Sequence, residues 1–224
     1  MNAIQTSQDV VRTMLSEKMN FLDKQMIKHS LIKDTLLLLQ AVDLSTLVDD
    51  QSKRAFWINC YNGITNYTII TRKINGSILL HPGFFRKRSI NIGGILWSLN
   101  DIEHGILRKN RHPLGSLHKQ LSSRDIRYSH IVEVFDPRIH FALNCGGLSC
   151  PLIREYSARR IDNELHYAEI SFLAQGLLKD PKTQRIAASR IFKWYKADFG
   201  FSYISREETR THVITYQRYH WNVS

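Results

Sequence analysis

The segment from Gln51 to Lys73 constrains this chain most. It is apolar almost all the way round a 3.6-residue period, with Phe56, Cys60, Ile64 and Tyr67 on one side and Ile58 and Ile69 elsewhere on the wheel. Such a helix has no face to offer to water, so the rest of the chain has to be built around it. Asn59, Asn62 and Asn66 fall within about 60° of one another at 100° per residue. Three amides on one face of a buried helix must find hydrogen-bond partners.

The flanking patterns predict what surrounds this helix. Val10, Val11, Met14, Leu15, Phe21 and Leu22 recur at helical spacing, and a second apolar region runs from Leu31 to Val48. Arg86 to Trp97 reads as two short strands turning at Gly93-Gly94. A helix follows, with Asn100 as N-cap and Glu103 three positions on, the spacing of a capping box. Ile131 to Val134 and Ile139 to Cys145 have strand character around an Asp136-Pro137 break. Ser157 is placed to cap an amphipathic helix carrying Ile161, Leu165 and Ala168 that ends near Gly176. Thr183 to Ala188 reads as a strand, Ser189 caps an aromatic-rich helix stopped by Gly200, and the last 24 residues read as a helix and tail. Helices outnumber strands, and the strands are neighbours in sequence. The expectation is an α+β domain with a small, mainly antiparallel sheet. Its expected parts are a helical segment over 1–50, the α+β body over 51–200 and a packed C-terminal helix and tail over 201–224.

Chemistry concentrates in Asp136 to Pro151, DPRIHFALNCGGLSCP, which holds a histidine, two of the three cysteines and a Gly-Gly turn. On a regular strand His140 points away from Cys145, so the two meet only if the strand breaks. Cys150 lies beyond the turn and before Pro151, a residue suited to the first position of a helix. A helix start would place N–H groups and a positive dipole end beside its sulfur and lower the thiol pKa. A general base is then needed, and His140 or His104 can supply it. Against this stands the ordinary behaviour of free cysteine as a small buried hydrophobe, which accounts fully for Cys60. Glu103 falls among Ile102, Ile106 and Leu107, and a capping role explains it without function.

Other classes lack support. Lys plus Arg is 31 against 20 for Asp plus Glu, a net charge of +11. That favours acidic partners, yet the basic residues are spread widely, and the densest groups (Arg86 to Arg88, Arg108 to Arg111) are too short for a nucleic-acid-binding arm. The tail from Thr215 to Trp221 interleaves aromatic and basic side chains, which reads as a segment packing on the body rather than a nucleic-acid platform. No apolar run approaches the roughly 20 residues of a membrane span. The start has no basic region followed by an apolar one, and three cysteines make no disulfide scaffold, so a reducing, cytoplasmic setting is the expectation. Phosphate-cradling glycine motifs are missing, and nothing calls for a cofactor. A zinc site built from Cys145, Cys150, His104 and His140 has suitable ligand types but an unusual Cys-x4-Cys spacing.

The blocks AFWINCYNGITNYTII, GGILWSLNDIEHGILR, DPRIHFALNCGGLSCPLI and RIFKWYKADFG occur in the order seen in the DUF547 family. Its members look like AFWINxYN, SLxDIEHxILR, DPRxHFALxCGxxSCPP and a final KWYxxDF. The resemblance covers about residues 55 to 200. Cys60 departs from an aliphatic position and Leu152 from a second proline. The resemblance implies that Glu103, His104, His140, Cys145 and Cys150 are motif positions. It implies no activity, since the family name records none. Bacterial relatives often look secreted or lipid-anchored and plant relatives carry leucine-zipper regions; this chain resembles the bare domain.

The leading expectation is a cysteine-dependent hydrolase or acyl-transferase, similar in logic to papain-like and transglutaminase-like enzymes. Cys150 would be the nucleophile with Cys145 in reserve, His104 or His140 the base, and Glu103 or Asn59 the group orienting the imidazole. Its substrate would be an amide, thioester or thiol-bearing small molecule or peptide, with Arg86 to Arg88 drawing an anionic one. The alternative is a non-catalytic interaction module in which Asn59, Glu103, His104 and His140 form a closed polar network.

Overall fold

The central helix, α3 (Asp50–Thr71), forms as its pattern demands, with the Asp49 carboxylate accepting from the Ser52 N–H at its start. In the computed structural model, which describes residues 2–113 and 115–223, Phe56, Trp57, Ile58, Asn59, Cys60 and Asn62 are fully enclosed. Helix α1 (Ala3–Leu22) lies along it and buries Val10, Val11 and Met14. Helix α2 (His29–Gln40) packs against α1 and the hairpin of β1 (Ile90–Ile92) and β2 (Ile95–Trp97). That hairpin pairs antiparallel, Ile90 facing Trp97, and turns at the expected glycines.

A second, smaller core sits beside the first. Helix α4 (Ile161–Gly176) leads into β3 (Leu177–Asp180) and β4 (Arg185–Ala188), followed by short helices α5 (Arg190–Trp194), α6 (Lys196–Phe199) and α7 (Glu208–Thr211) and by β5 (Val213–Tyr216). The sheet order is β3-β4-β5, with the first pair antiparallel and the second parallel. Phe141 stacks on Phe172 and Phe199 in this smaller core. The result is the expected α+β domain. Residues on both sides of the 51–200 body are integral to it: Val10 and Leu39 belong to the large core, Ile214 and Tyr216 to the small one.

Several local expectations fail for identifiable reasons. Asn100 makes no side-chain cap. Ser98 and Asp101 cap each other instead: the Ser98 N–H donates to the Asp101 carboxylate at 3.0 Å, and the Asp101 N–H donates to Ser98 Oγ at 3.1 Å. The helix that follows, Asp101–Leu107, is a π-helix, with Arg108 N–H reaching back five residues to the Glu103 carbonyl. Ile139 to Cys145 is not a strand. Asp136 accepts from the Arg138 N–H and Pro137 starts a 3₁₀ turn, Pro137–Phe141. Ile131 to Val134 forms no strand either, because its N–H groups at Glu133 and Val134 are taken by the Asp50 carboxylate. No helix begins at Pro151, and the next helical turn is Ala158–Arg160. Ser157 donates to Glu164 rather than capping. The C-terminal tail contributes β5, which the sequence pattern did not show.

Two of the three asparagine amides of α3 do the positioning, while Asn66 is buried with neither amide atom hydrogen-bonded among the described residues. Asn62 donates from Nδ2 to the Ala142 carbonyl at 3.0 Å and accepts the Asn144 N–H at 2.8 Å. Asn59 holds Tyr156 in the same way, donating to its carbonyl at 2.8 Å and accepting its N–H at 2.9 Å. Truncating Asn62 would strand two buried backbone groups, each worth about 1–3 kcal/mol. Asn62→Ala should therefore lower unfolding free energy by roughly 3 kcal/mol in urea denaturation. A loss below about 1 kcal/mol would show that the clamp does not hold this segment.

Candidate functional site

Asn144, itself clamped by Asn62, organises the turn that carries the cysteines. Its Nδ2 donates to the Pro151 carbonyl at 2.7 Å, and its Oδ1 accepts the Gly146 N–H at 2.6 Å. Gly146 has φ +94°, and a Cβ there would stand 2.7 Å from Ile69 Cδ1. At Gly147 a Cβ would stand 2.8 Å from the His220 carbonyl oxygen. That closeness lets the C-terminal tail zip onto the turn: Leu148 N–H donates to the Asn222 carbonyl at 2.9 Å, and Gly147 bridges Val223. The tail delivers Tyr219, whose ring forms a three-membered cluster with Trp194 and Trp221.

Cys145 and Cys150 are free thiols whose sulfurs lie 2.7 Å apart, and the Tyr219 hydroxyl is 3.1 Å from Cys150 Sγ. Burial works to raise the Cys150 pKa. Hydrogen bonds from Cys145, from the Tyr219 hydroxyl and from the backbone N–H groups of Gly147 and Cys145 outweigh it and bring the thiol down to about 7. Cys145, hydrogen-bonded to that sulfur and buried, is pushed well up. The pair therefore shares one proton near neutrality, with the charge on Cys150. The donors come from a glycine turn, not from the helix start expected at Pro151.

On the Cys145 side lies a cavity of about 230 Å³ lined by Cys145, Glu103, His104, His140, Tyr61 and Tyr195. The 3₁₀ turn ends the strand alternation that would have separated His140 from Cys145, so both reach this cavity. His140 Nε2 is 2.8 Å from Asp198 Oδ2. Burial opposes ionisation of Asp198, but hydrogen bonds from His140, Arg108 and Arg111 outweigh it and hold the carboxyl well below the usual range. An ionised carboxylate only accepts, so His140 carries its proton on Nε2 and leaves Nδ1 with a lone pair. Arg108 Nη1 is 2.9 Å from His104 Nδ1. A guanidinium only donates, so His104 carries its proton on Nε2. Burial lowers both imidazole pKa values, which keeps the rings neutral. Glu103 accepts from Tyr61 at 3.0 Å and from Tyr195 at 2.6 Å. Burial works against its charge; neighbouring His104, the Tyr195 hydroxyl, His140 and Arg108 overcome this and hold its pKa below the ordinary value.

The structure thus gathers Glu103, His104, His140 and Cys145 around one cavity and places Cys150 against Cys145. Asn59 is not among them: its amide is spent on Tyr156, and it orients no imidazole. The group that does orient one is Asp198, and the sequence reading missed it along with Tyr219, Tyr195, Tyr61 and Arg108. Asp198 lies in the KWYxxDF block, the only signal that pointed to it. Among the described residues neither sulfur hydrogen-bonds to an imidazole. No group of three or more His, Cys, Asp or Glu side chains there could hold a metal ion, so the zinc reading lacks its ligand cluster. No helix among the described residues is long and apolar enough to cross a membrane.

The family profile described as "Protein of unknown function, DUF547" matches residues 45–173, more than half of the chain. No curated protein matches the chain, and no solved structure does.

The buried site carries a pH signature. His104 and His140 bind protons less readily folded than unfolded, so their contribution is complete above about 6.5 and is lost as pH falls below it. Asp198 contributes above about 4 and loses its share below that. Urea midpoints should therefore fall from pH 7 to 5 and again below 4, and His140→Gln should shrink the first drop. A midpoint that holds constant or rises between pH 7 and 5 would contradict neutral, buried imidazoles.

Proposed function

Because the chain belongs to the DUF547 family, whose name assigns no activity, its function is read from the site: we propose that the domain is a cysteine-dependent hydrolase or acyl-transferase. One observation carries this reading. The Cys150 sulfur, brought down to about 7, opens on a groove of about 360 Å³, while its partner Cys145 opens on the imidazole cavity. A thiolate at neutral pH attacks without prior deprotonation.

The Cys150 thiolate forms a C–S bond with the carbonyl carbon of a thioester or amide, and the leaving thiolate or amine departs with a proton from Cys145 or Tyr219. The acyl group then passes to water or to an acceptor nucleophile, restoring the thiol. His140, with Asp198 fixing its tautomer, has the free lone pair to take the proton of that second nucleophile. His104 presents an N–H donor. Base and orienter are paired as two members of a triad are, with His140 lining the Cys145 cavity and Cys150 the groove on the other side of the thiol pair.

A second reading keeps one observation in its favour. Glu103, His104, His140 and Asp198 all have side-chain partners already, as a closed structural network would. The two readings part on Glu103→Gln and His140→Gln. A brace alone predicts lost stability with Cys150 reactivity intact.

Acylation settles the matter. Incubation with a panel of small acyl thioesters followed by intact-mass analysis should give an acyl adduct on the native protein and none on Cys150→Ser. His140→Gln should accumulate the adduct by slowing its release about 100-fold. Absence of any adduct, together with iodoacetamide labelling of Cys150 no faster than in the urea-unfolded chain, would overturn the proposal.

A further inference from the structure

The groove on the Cys150 side has a composition unlike the imidazole cavity. Its lining includes Arg154, Arg190 and Arg218 and no Asp or Glu. Arg190 follows the cap of α5, Arg218 precedes Tyr219 on the tail, and Arg154 lies in the segment after the cysteine turn. Three separate stretches of chain thus bring a guanidinium to the same groove. Arg154 donates to Ser171 at 3.1 Å. Among the described residues Arg190 and Arg218 make no ion pair.

The other cavity is lined by one arginine, Arg86, which makes no ion pair among the described residues but shares the lining with the Glu103 carboxylate. Arg108 and Arg111 sit on Asp198. Of Arg86 to Arg88, which the sequence suggested as an anion lure, Arg88 is held by Asp101 at 2.8 Å and lies 3.6 Å from Asp125, so its charge is already answered. Beside the sulfur of lowered pKa, by contrast, three guanidinium groups gather with no carboxylate in the lining. Guanidinium groups pair with carboxylate and phosphate in bidentate geometry. A groove of about 360 Å³ falls within the range of small-molecule sites. Phe141 and Phe172 give it one apolar wall, while Ser171 and Gln175 add polar groups.

From this we infer that the groove takes a small molecule with at least two anionic groups, carboxylate or phosphate, and presents its acyl carbon to Cys150. The inference rests on the proposed thiol chemistry for its consequence, but the anion site itself does not. Arg190 and Arg218 supply the charge that selects the ligand, and Phe172 covers its uncharged portion.

Two arms test it. In Cys150→Ser, which cannot react, citrate and pyrophosphate are titrated by calorimetry, with the Arg190→Gln/Arg218→Gln double variant on the same background as control. In the native protein, Cys150 alkylation by anionic iodoacetate is compared with that by neutral iodoacetamide at low salt. Expected are saturable binding of at least one polyanion, lost in the double variant, and an iodoacetate-to-iodoacetamide rate ratio that falls about tenfold on that substitution. Citrate binding alone identifies carboxylates as the recognised groups; pyrophosphate binding alone identifies phosphates. Failure of both anions to bind, with a rate ratio indifferent to the two arginines, overturns the inference while leaving a reactive Cys150 intact. An unreactive Cys150 in a protein that still binds polyanions overturns the proposed chemistry instead and leaves the anion site standing.

Discussion

Everything at the site hangs on one pair of hydrogen bonds inside the protein. The Asn62 amide grips the Ala142 carbonyl and the Asn144 N–H, and Asn144 in turn grips Gly146 and Pro151. The buried middle of α3 is thereby connected in two steps to the turn that carries both thiols. Amides suit this work because each offers a donor and an acceptor from one planar group, matching the N–H and C=O that an irregular segment leaves unpaired. Without such a clamp, a coil at this depth would bury unsatisfied backbone at several kcal/mol in total.

Opposing thiol environments coexist within this one domain. Cys150 accepts hydrogen bonds from a sulfur, a phenol and two backbone N–H groups, and its pKa falls. Cys60, on the same helix as the clamp, has burial alone and is pushed well up. The two cysteines thus differ in chemistry because Cys60 is sealed in the core while Cys150, half-buried beside its groove, is surrounded by donors. The histidines are set apart in the same way. Asp198 fixes the His140 tautomer and Arg108 fixes that of His104, so two neutral rings in one cavity present opposite faces, a lone pair and an N–H.

Much of this was legible in the residues. The all-round apolar pattern of α3, the hairpin at Gly93-Gly94 and the Ser189 cap depend on local periodicity and turn chemistry, and they form as expected. Of the three amides that needed partners, Asn59 and Asn62 find them and Asn66 does not among the described residues. Asp136-Pro137 was visible as a break, but its outcome, a 3₁₀ turn instead of a new strand, was decided by side-chain capping. Pro151 looked like the first residue of a helix, yet its carbonyl is taken by Asn144, a contact no local pattern encodes. The π-helix at Asp101–Leu107 turned Glu103 from a presumed cap into a ligand of two phenols. Tyr219 and Asp198 come from parts of the chain 69 and 58 residues distant from their partners. Only the folded chain brings them to the sulfur and the imidazole.

The claim at the centre is that folding, through the glycine turn and Tyr219, makes one thiol acidic. Thiolate absorbance near 240 nm, titrated in the native protein and again in the urea-unfolded chain, reads this without a substrate. The account predicts a native ionisation at about 7 that is missing from Cys150→Ser and that moves to the ordinary thiol value of about 8.5 on unfolding. A native titration with no step below about 8.5 would contradict it.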